Sequence, residues 1–263
     1  MKTITRTASL GRDTQEVRSD SLLDALQKGT PQGAVISPLL VNVYLHYVFD
    51  LWAQQWRRCE VKGDMIVVRY ADDLVVGFEL EAEARRFWDA MRTRFEQFPL
   101  ELHGEKTRPL EFGRYAIERR QRNGQGKSHT FNFLGFTFIC GRSRRGAFLL
   151  RRHTRSDRMR AALREITDEL RRRRHHDSLP DQGRWLRSVV AGYFAHHAVP
   201  TNAQAIGAYR HHVLDLWRRS LKRRSQKDRM TWARMDRLAD EWLPPPHVLH
   251  PWPEERMAVR YPR

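Results

Sequence analysis

Residues 65–78 restrict the fold more than any other part of this 263-residue chain. Two short apolar, β-branched runs, Met65–Tyr70 and 74–78, flank Ala71-Asp72-Asp73. Runs of that length on either side of a short polar break predict a β-hairpin with an acidic tip. Adjacent carboxylates on such a tip repel each other unless a cation sits beside them. A hard divalent ion such as Mg2+ takes oxygen ligands of this kind and keeps its other positions for water and phosphate. In nucleotidyl transfer two such ions, about 3.5–4 Å apart, clamp the attacking and leaving oxygens. Asp is also common in solvated turns, so the pair by itself leaves both readings open.

The flanking segments predict a mixed fold. Residues 1–28 are polar and weakly patterned, a lead-in with one short helix at 21–27. Gly29-Thr30-Pro31-Gln32-Gly33 is a turn by composition. Ser37-Pro38 offers an N-cap followed by Pro at the first helical position. Leu40, Val43, Tyr44, Tyr47, Val48 and Leu51 then recur at spacings of three and four, predicting a helix to about Arg57 that buries that stripe. After the hairpin, Ala84, Phe87, Trp88, Met91 and Phe95 return to helical period. Short strands are expected at 100–103, 108–112, 131–139 and 147–151, with a Gly-rich polar loop at 119–128. From about Thr154 three amphipathic helices, 156–174, 182–197 and 202–224, predict a small bundle. The stretch 243–263 is rich in Pro and expected to be extended.

Charge divides the chain unevenly. Residues 1–100 hold 13 Lys and Arg against 14 Asp and Glu, while 101–263 hold 35 against 17, so the whole net charge of +17 comes from the second part. Arg predominates there, which suits bidentate contacts to phosphate and stacking on bases. Nucleic acid is the natural polyanion for such a surface. An acidic membrane is the rival, but no basic amphipathic helix with an open apolar face stands out. No run of about 20 apolar residues and no signal-peptide core occurs, which places the chain in the cytoplasm. Cys59 and Cys140 stand alone and suggest neither a disulfide framework nor a zinc site.

Tyr70-Ala71-Asp72-Asp73, preceded by Gly29-Thr30-Pro31-Gln32-Gly33 with Ser37-Pro38-Leu39-Leu40 and followed by His103-Gly104-Glu105-Lys106-Thr107 and Phe133-Leu134-Gly135-Phe136, resembles the reverse transcriptases of group II introns in motif order and spacing. The resemblance implies an α+β fold: a partial polymerase palm with an antiparallel sheet at 29–153, then an α-helical thumb and maturase-specific region at 154–242 and the Pro-rich tail at 243–263. It implies an RNA-directed DNA polymerase, a nucleotidyltransferase using Mg2+. Asp72 would be the principal metal ligand and Asp73 a more peripheral one. Lys106 would face the triphosphate, Pro31, Gln32 and Gly33 with Tyr70 would shape the pocket for template and nucleotide, and Phe133 and Phe136 would serve chiefly as core. Trp185, Leu186, Gly192, Tyr193, Asn202, Tyr209, Trp217, the run 218–225 and Thr231-Trp232 resemble the RNA-binding thumb and maturase region. There Arg218, Arg219, Arg223 and Arg224 are the candidate phosphate contacts, and the aromatic residues belong more often to a bundle core than to base stacks. The implied partners are intron RNA and template RNA, a DNA primer, deoxynucleotides and a separate N-terminal fragment, with no membrane.

One part of the family pattern is not found. The palm needs a further metal-binding Asp on an apolar strand several dozen residues before Thr30. Asp13, Asp20 and Asp24 stand too close and lack that context, so the fingers and the first metal motif are expected to be missing and the chain inactive alone. A sheet without those strands is expected to expose an edge. A non-catalytic RNA-binding maturase module and a degraded remnant are the alternatives. Gly124-Gln125-Gly126-Lys127-Ser128 is not a phosphate loop, because Gln121 stands where that motif needs Gly. The His175-His176, His196-His197 and His211-His212 pairs are adjacent, so one helix face cannot present both members to zinc.

Overall fold

A strand that the sequence pattern does not announce, β1 (Lys2–Thr7), runs through the middle of the first sheet. The computed structural model describes residues 2–7, 37–98, 100, 102–104, 107–224 and 230–252. The chain divides into two compact units, Met1–Leu134 and Gly135–Arg263. The result is an α+β architecture with small antiparallel sheets followed by a helical region.

In the first unit, α1 (Ser37–Leu45) passes through a π-helical turn (His46–Asp50) into α2 (Leu51–Cys59). β2 (Met65–Tyr70) and β3 (Asp73–Phe78) follow, then α3 (Glu81–Glu96), β4 (Arg108–Glu111), α4 (Ala116–Arg122) and β5 (Thr130–Phe133). The four-stranded sheet has the order β2-β3-β1-β4. β3 pairs antiparallel with β2 from Met65↔Phe78 to Tyr70↔Asp73 and with β1 from Lys2↔Phe78 to Thr7↔Asp73. Leu74, Val76 and Phe78 are buried against Phe49, Phe87, Met91 and Phe95 from the helices. That core fixes the hairpin's base, and a one-residue slip of β3 would turn the three residues out of it.

The helix expected from 37 to about 57 forms, but the expected stripe is not the buried one. Leu40, Val43, Tyr44, Tyr47 and Leu51 are exposed, and of that set only Val48 joins the core, with Leu45, Phe49 and Ala53. The segment carries two apolar stripes at helical spacing. The one bearing Phe49, Trp52 and Trp56 is the one that packs, its rings against Phe87 and Phe95 of α3. A π-turn widens the helix and disturbs its carbonyl ladder. Arg94 Nε donates to Val48 O within it at 2.5 Å, and its guanidinium lies over Trp52 and Phe98.

Three further expectations change. Residues 100 and 102–103 form no strand, and the loop expected at 119–128 begins inside a helix, α4, whose end donates the Asn123 amide to Arg119 O. The lead-in contains β1, whose alternating Thr and Ile have β-branched bodies but no clear apolar face in sequence. Its ladders come from strands distant in the chain. The helix expected at 21–27 lies outside the described residues.

In the second unit, β6 (Phe136–Arg142) and β7 (Phe148–Thr154) form a hairpin, followed by α5 (Ser156–Arg173), α6 (Leu179–His197), α7 (Ala203–Lys222) and α8 (Trp232–Trp242). The β7 backbone joins the helices through Thr201 Oγ1, which accepts from Arg152 N, and Asn202 Oδ1, which accepts from Thr154 N. The unit boundary therefore falls ahead of this hairpin. α6 starts where Ser178 accepts from Asp181 N, with Pro180 in its first turn. α8, not foreseen from the sequence, starts where Thr231 accepts from Arg234 N and buries Met235, Leu238 and Ala239.

Trp217 and Tyr209 are fully buried, Trp217 Nε1 donating to Gln182 Oε1 at 3.0 Å. Tyr193 stacks between Tyr209 and His197, and burial pushes the Tyr193 phenol up to about 12. Most of the aromatic set is thus core, as its spacing suggested. Residues 244–252 of the Pro-rich segment form neither helix nor strand, and Leu249 N donates to Ala198 O at 2.8 Å. Among the described residues no helix is long and apolar enough to cross a membrane.

Candidate functional site

The hairpin tip is a two-residue turn, Ala71-Asp72, closing the Tyr70↔Asp73 pair. Ala71 sits at φ +51°, a left-handed conformation that a residue with a Cβ adopts only at some cost. Its neighbours supply the restraint. Arg69 Nη1 donates to Ala71 O at 3.1 Å and to Asn42 Oδ1 at 2.8 Å, while Nε and Nη2 grip Asp50 at 2.8 and 2.6 Å. One guanidinium thus ties the turn to α1 and to the last residue of the π-turn. The hydrogen bonds to Asp50 hold the Arg69 pKa above its already high ordinary value, so the cation is permanent.

This network decides the electrostatics of the tip. The arginine nearest in sequence to the twin acids spends its charge on Asp50, in a fork geometry that leaves little for a third carboxylate. Asp72 is half-buried, and among the described residues no cation pairs with it. Asp73 is half-buried too, at the start of β3 between β2 and β1, and has an interaction partner of its own. Tyr70 is 65% exposed beside the turn. Two half-exposed carboxylates suit a hard cation by ligand type. The donor set stops there, since no group of three His, Cys, Asp or Glu side chains placed to hold a metal occurs among the described residues. The sequence of β1, Lys-Thr-Ile-Thr-Arg-Thr, has no carboxylate to add.

Pro31, Gln32, Gly33 and Lys106 lie outside the described residues. Thr107 N donates to His103 O at 3.0 Å. Phe133 and Phe136 are buried, Phe136 stacked on His196.

Arg69, Asp50 and Asn42 were not singled out from the sequence. The signal was present: Arg69 is the one charge in the strand Met65–Tyr70, and Asp50 the one acid in the apolar segment 37–56. Arg69→Ala is expected to destabilise the first unit by about 2–3 kcal/mol. That is below the roughly 3–5 kcal/mol of a broken buried pair, because Asp50 keeps 29% of its side chain exposed. Chemical denaturation checks it, and pairing Arg69→Met with Asp50→Leu should cost less than Arg69→Ala alone.

The four arginines expected to meet RNA separate into different settings. Arg219 and Arg223 share one face of α7 at i and i+4, Arg218 lies over the Trp232 ring at 4.4 Å, and Arg224 is exposed beyond the helix end. Arg219 also pairs with Asp215.

Residues 20–138 match the family described as reverse transcriptase (RNA-dependent DNA polymerase), a span that includes residues 29–33 and the acidic hairpin. Over 93 residues the chain is 27% identical to the uncharacterized 91 kDa protein in cob intron of Schizosaccharomyces pombe (strain 972). That similarity covers 34% of this chain and 12% of the relative, so the chain spans a small fraction of that protein's length.

Proposed function

We propose that this chain is a palm and thumb portion of a reverse transcriptase of the group II intron kind, an RNA-directed DNA polymerase whose helical unit binds intron RNA as a maturase does. The observation that carries the polymerase reading is the acidic turn itself, held by Arg69 while that arginine's charge is satisfied by Asp50. In this reading Asp72 is the principal Mg2+ ligand and Asp73 the peripheral one. Mg2+, when bound, neutralises phosphate charge at the reacting centre. Lys106 meets the triphosphate, and Pro31, Gln32, Gly33 and Tyr70 position template and nucleotide.

In this reading the two carboxylates at the tip need a third, which the described residues do not bring there, and residues 1–263 alone are expected to be inactive. A fragment bearing a strand-borne Asp is expected to complete the site. Primer extension on an RNA template tests both statements. The isolated chain is expected to extend at background, and addition of such a fragment is expected to restore synthesis. Extension by the chain alone would contradict the shared site. Persistent RNA binding with no synthesis under any complementation would select the second reading, a non-catalytic maturase module that assists intron folding. The RNA surface has its own test: replacing Arg218, Arg219, Arg223 and Arg224 by Gln is expected to weaken RNA affinity and lower the salt slope by about 2–4. An unchanged slope would place the RNA elsewhere.

A further inference from the structure

α5 and α7 lie side by side, joined by Ser220 Oγ donating to Leu170 O at 3.3 Å. Beside that bond is a cleft of about 150 Å3 whose polar lining is Arg171, Arg174, Arg219 and Arg223 with the hydroxyl-bearing Ser220 and Thr167. Among the described residues no carboxylate lines it. Two of the arginines are anchored at the rim by acids of their own helices, Arg171 by Asp168 at 3.1 Å and Arg219 by Asp215 at 2.5 Å. The other two differ. Arg174 Nε is buried with no hydrogen-bond partner, and Arg223 forms no ion pair among the described residues.

Four guanidinium groups around one small cleft repel each other, and a buried donor without an acceptor is unfavourable. A compact anion with several acceptor oxygens, entering the cleft, offsets that repulsion. Phosphate is such an anion, and the planar arginine fork matches two of its oxygens at once. We infer that the cleft between α5 and α7 is a seat for one backbone phosphate of a bound RNA, with Arg174 and Arg223 as its direct ligands and Arg171 and Arg219 at its rim. This rests on the RNA-binding reading of the helical unit and extends it. Arg171 and Arg174 stand some 45 residues before Arg219, on a helix that the basic run 218–225 does not include. The seat also fixes register: a strand gripped there can run along the groove between the two helices.

The test compares two double variants of the full chain that remove equal charge from α5. Arg171→Gln with Arg174→Gln empties the seat, while Arg164→Gln with Arg172→Gln alters exposed arginines outside the cleft lining. Fluorescence anisotropy with a labelled RNA hairpin is read across a KCl series, after thermal melts show that both variants fold. The cleft variant is expected to lose roughly tenfold in affinity and about 1–2 from the log–log salt slope, with the control losing less than half as much. Equal losses in both would overturn the seat and leave general RNA binding intact. No RNA binding by the unmodified chain would overturn the RNA reading instead. In that event inorganic phosphate is the deciding probe. A melting temperature raised by phosphate over chloride at equal ionic strength, in the unmodified chain and not in the cleft variant, would assign the seat to free phosphate. A flat response would abolish it.

Discussion

Asp72→Asn is expected to lower primer extension by the complemented enzyme about 1,000-fold or more while leaving RNA affinity within about twofold. A factor of 1,000 corresponds to about 4 kcal/mol of transition-state stabilisation, in the range lost when one preorganised electrostatic group is removed from a reacting centre. The substitution keeps the turn's shape and its capacity to accept a hydrogen bond, so what it removes is charge. Asp73→Asn is expected to cost less, about tenfold, because that carboxylate is the peripheral one and sits inside the β-ladder, paired with Tyr70 and Thr7. Equal losses at the two positions would contradict that division of roles. Loss of RNA binding in parallel with synthesis would mean the hairpin had collapsed, and Arg69→Ala provides the comparison for that outcome.

Trp217→Ala is expected to unfold the second unit. A fully buried Trp replaced by Ala costs roughly 3–5 kcal/mol through lost burial and the cavity left behind. Here Gln182 Oε1 also loses the indole donor it accepts at 3.0 Å, adding about 1–3 kcal/mol for a buried acceptor without a partner. The sum approaches the roughly 5–15 kcal/mol that holds a whole domain together. Urea denaturation should show the helical unit's transition shifted to low denaturant or gone, with RNA binding lost alongside. Trp217→Phe, which keeps most of the ring area and forfeits the hydrogen bond, should retain the fold at a cost of about 2–4 kcal/mol. An Ala variant that melts like the unmodified chain would mean that α5, α6 and α7 do not share the core described here.

The acidic hairpin was legible in the sequence because its strands are short, β-branched and bounded by a polar break, and local signals of that kind survive any tertiary context. Helices α5, α6 and α7 were legible for a similar reason, since each carries one apolar stripe. α1 and α2 were legible as helix but not in orientation. With apolar residues on two faces, burial is decided by which face meets Phe87 and Phe95, and no local pattern encodes that. β1 was hidden because its residues form a strand only where β3 and β4 supply a ladder. At the candidate site, Asp72 and Asp73 were readable from chemistry, whereas Arg69 and Asp50 become one unit only when α1 and β2 come together. The cleft at Arg171, Arg174, Arg219 and Arg223 was out of reach for the same reason. A basic run shows its own charges, not the helix that will face it.

The central claim is that the tip of the β2–β3 hairpin holds a divalent cation, and paramagnetic broadening by Mn2+ measures it without any partner or substrate. Titration into isotopically labelled protein is expected to broaden the amide resonances of residues 70–74 first and saturably, with Mg2+ reversing the effect and Asp72→Asn removing it. Broadening that centres elsewhere, or that persists unchanged in Asp72→Asn, would contradict the claim.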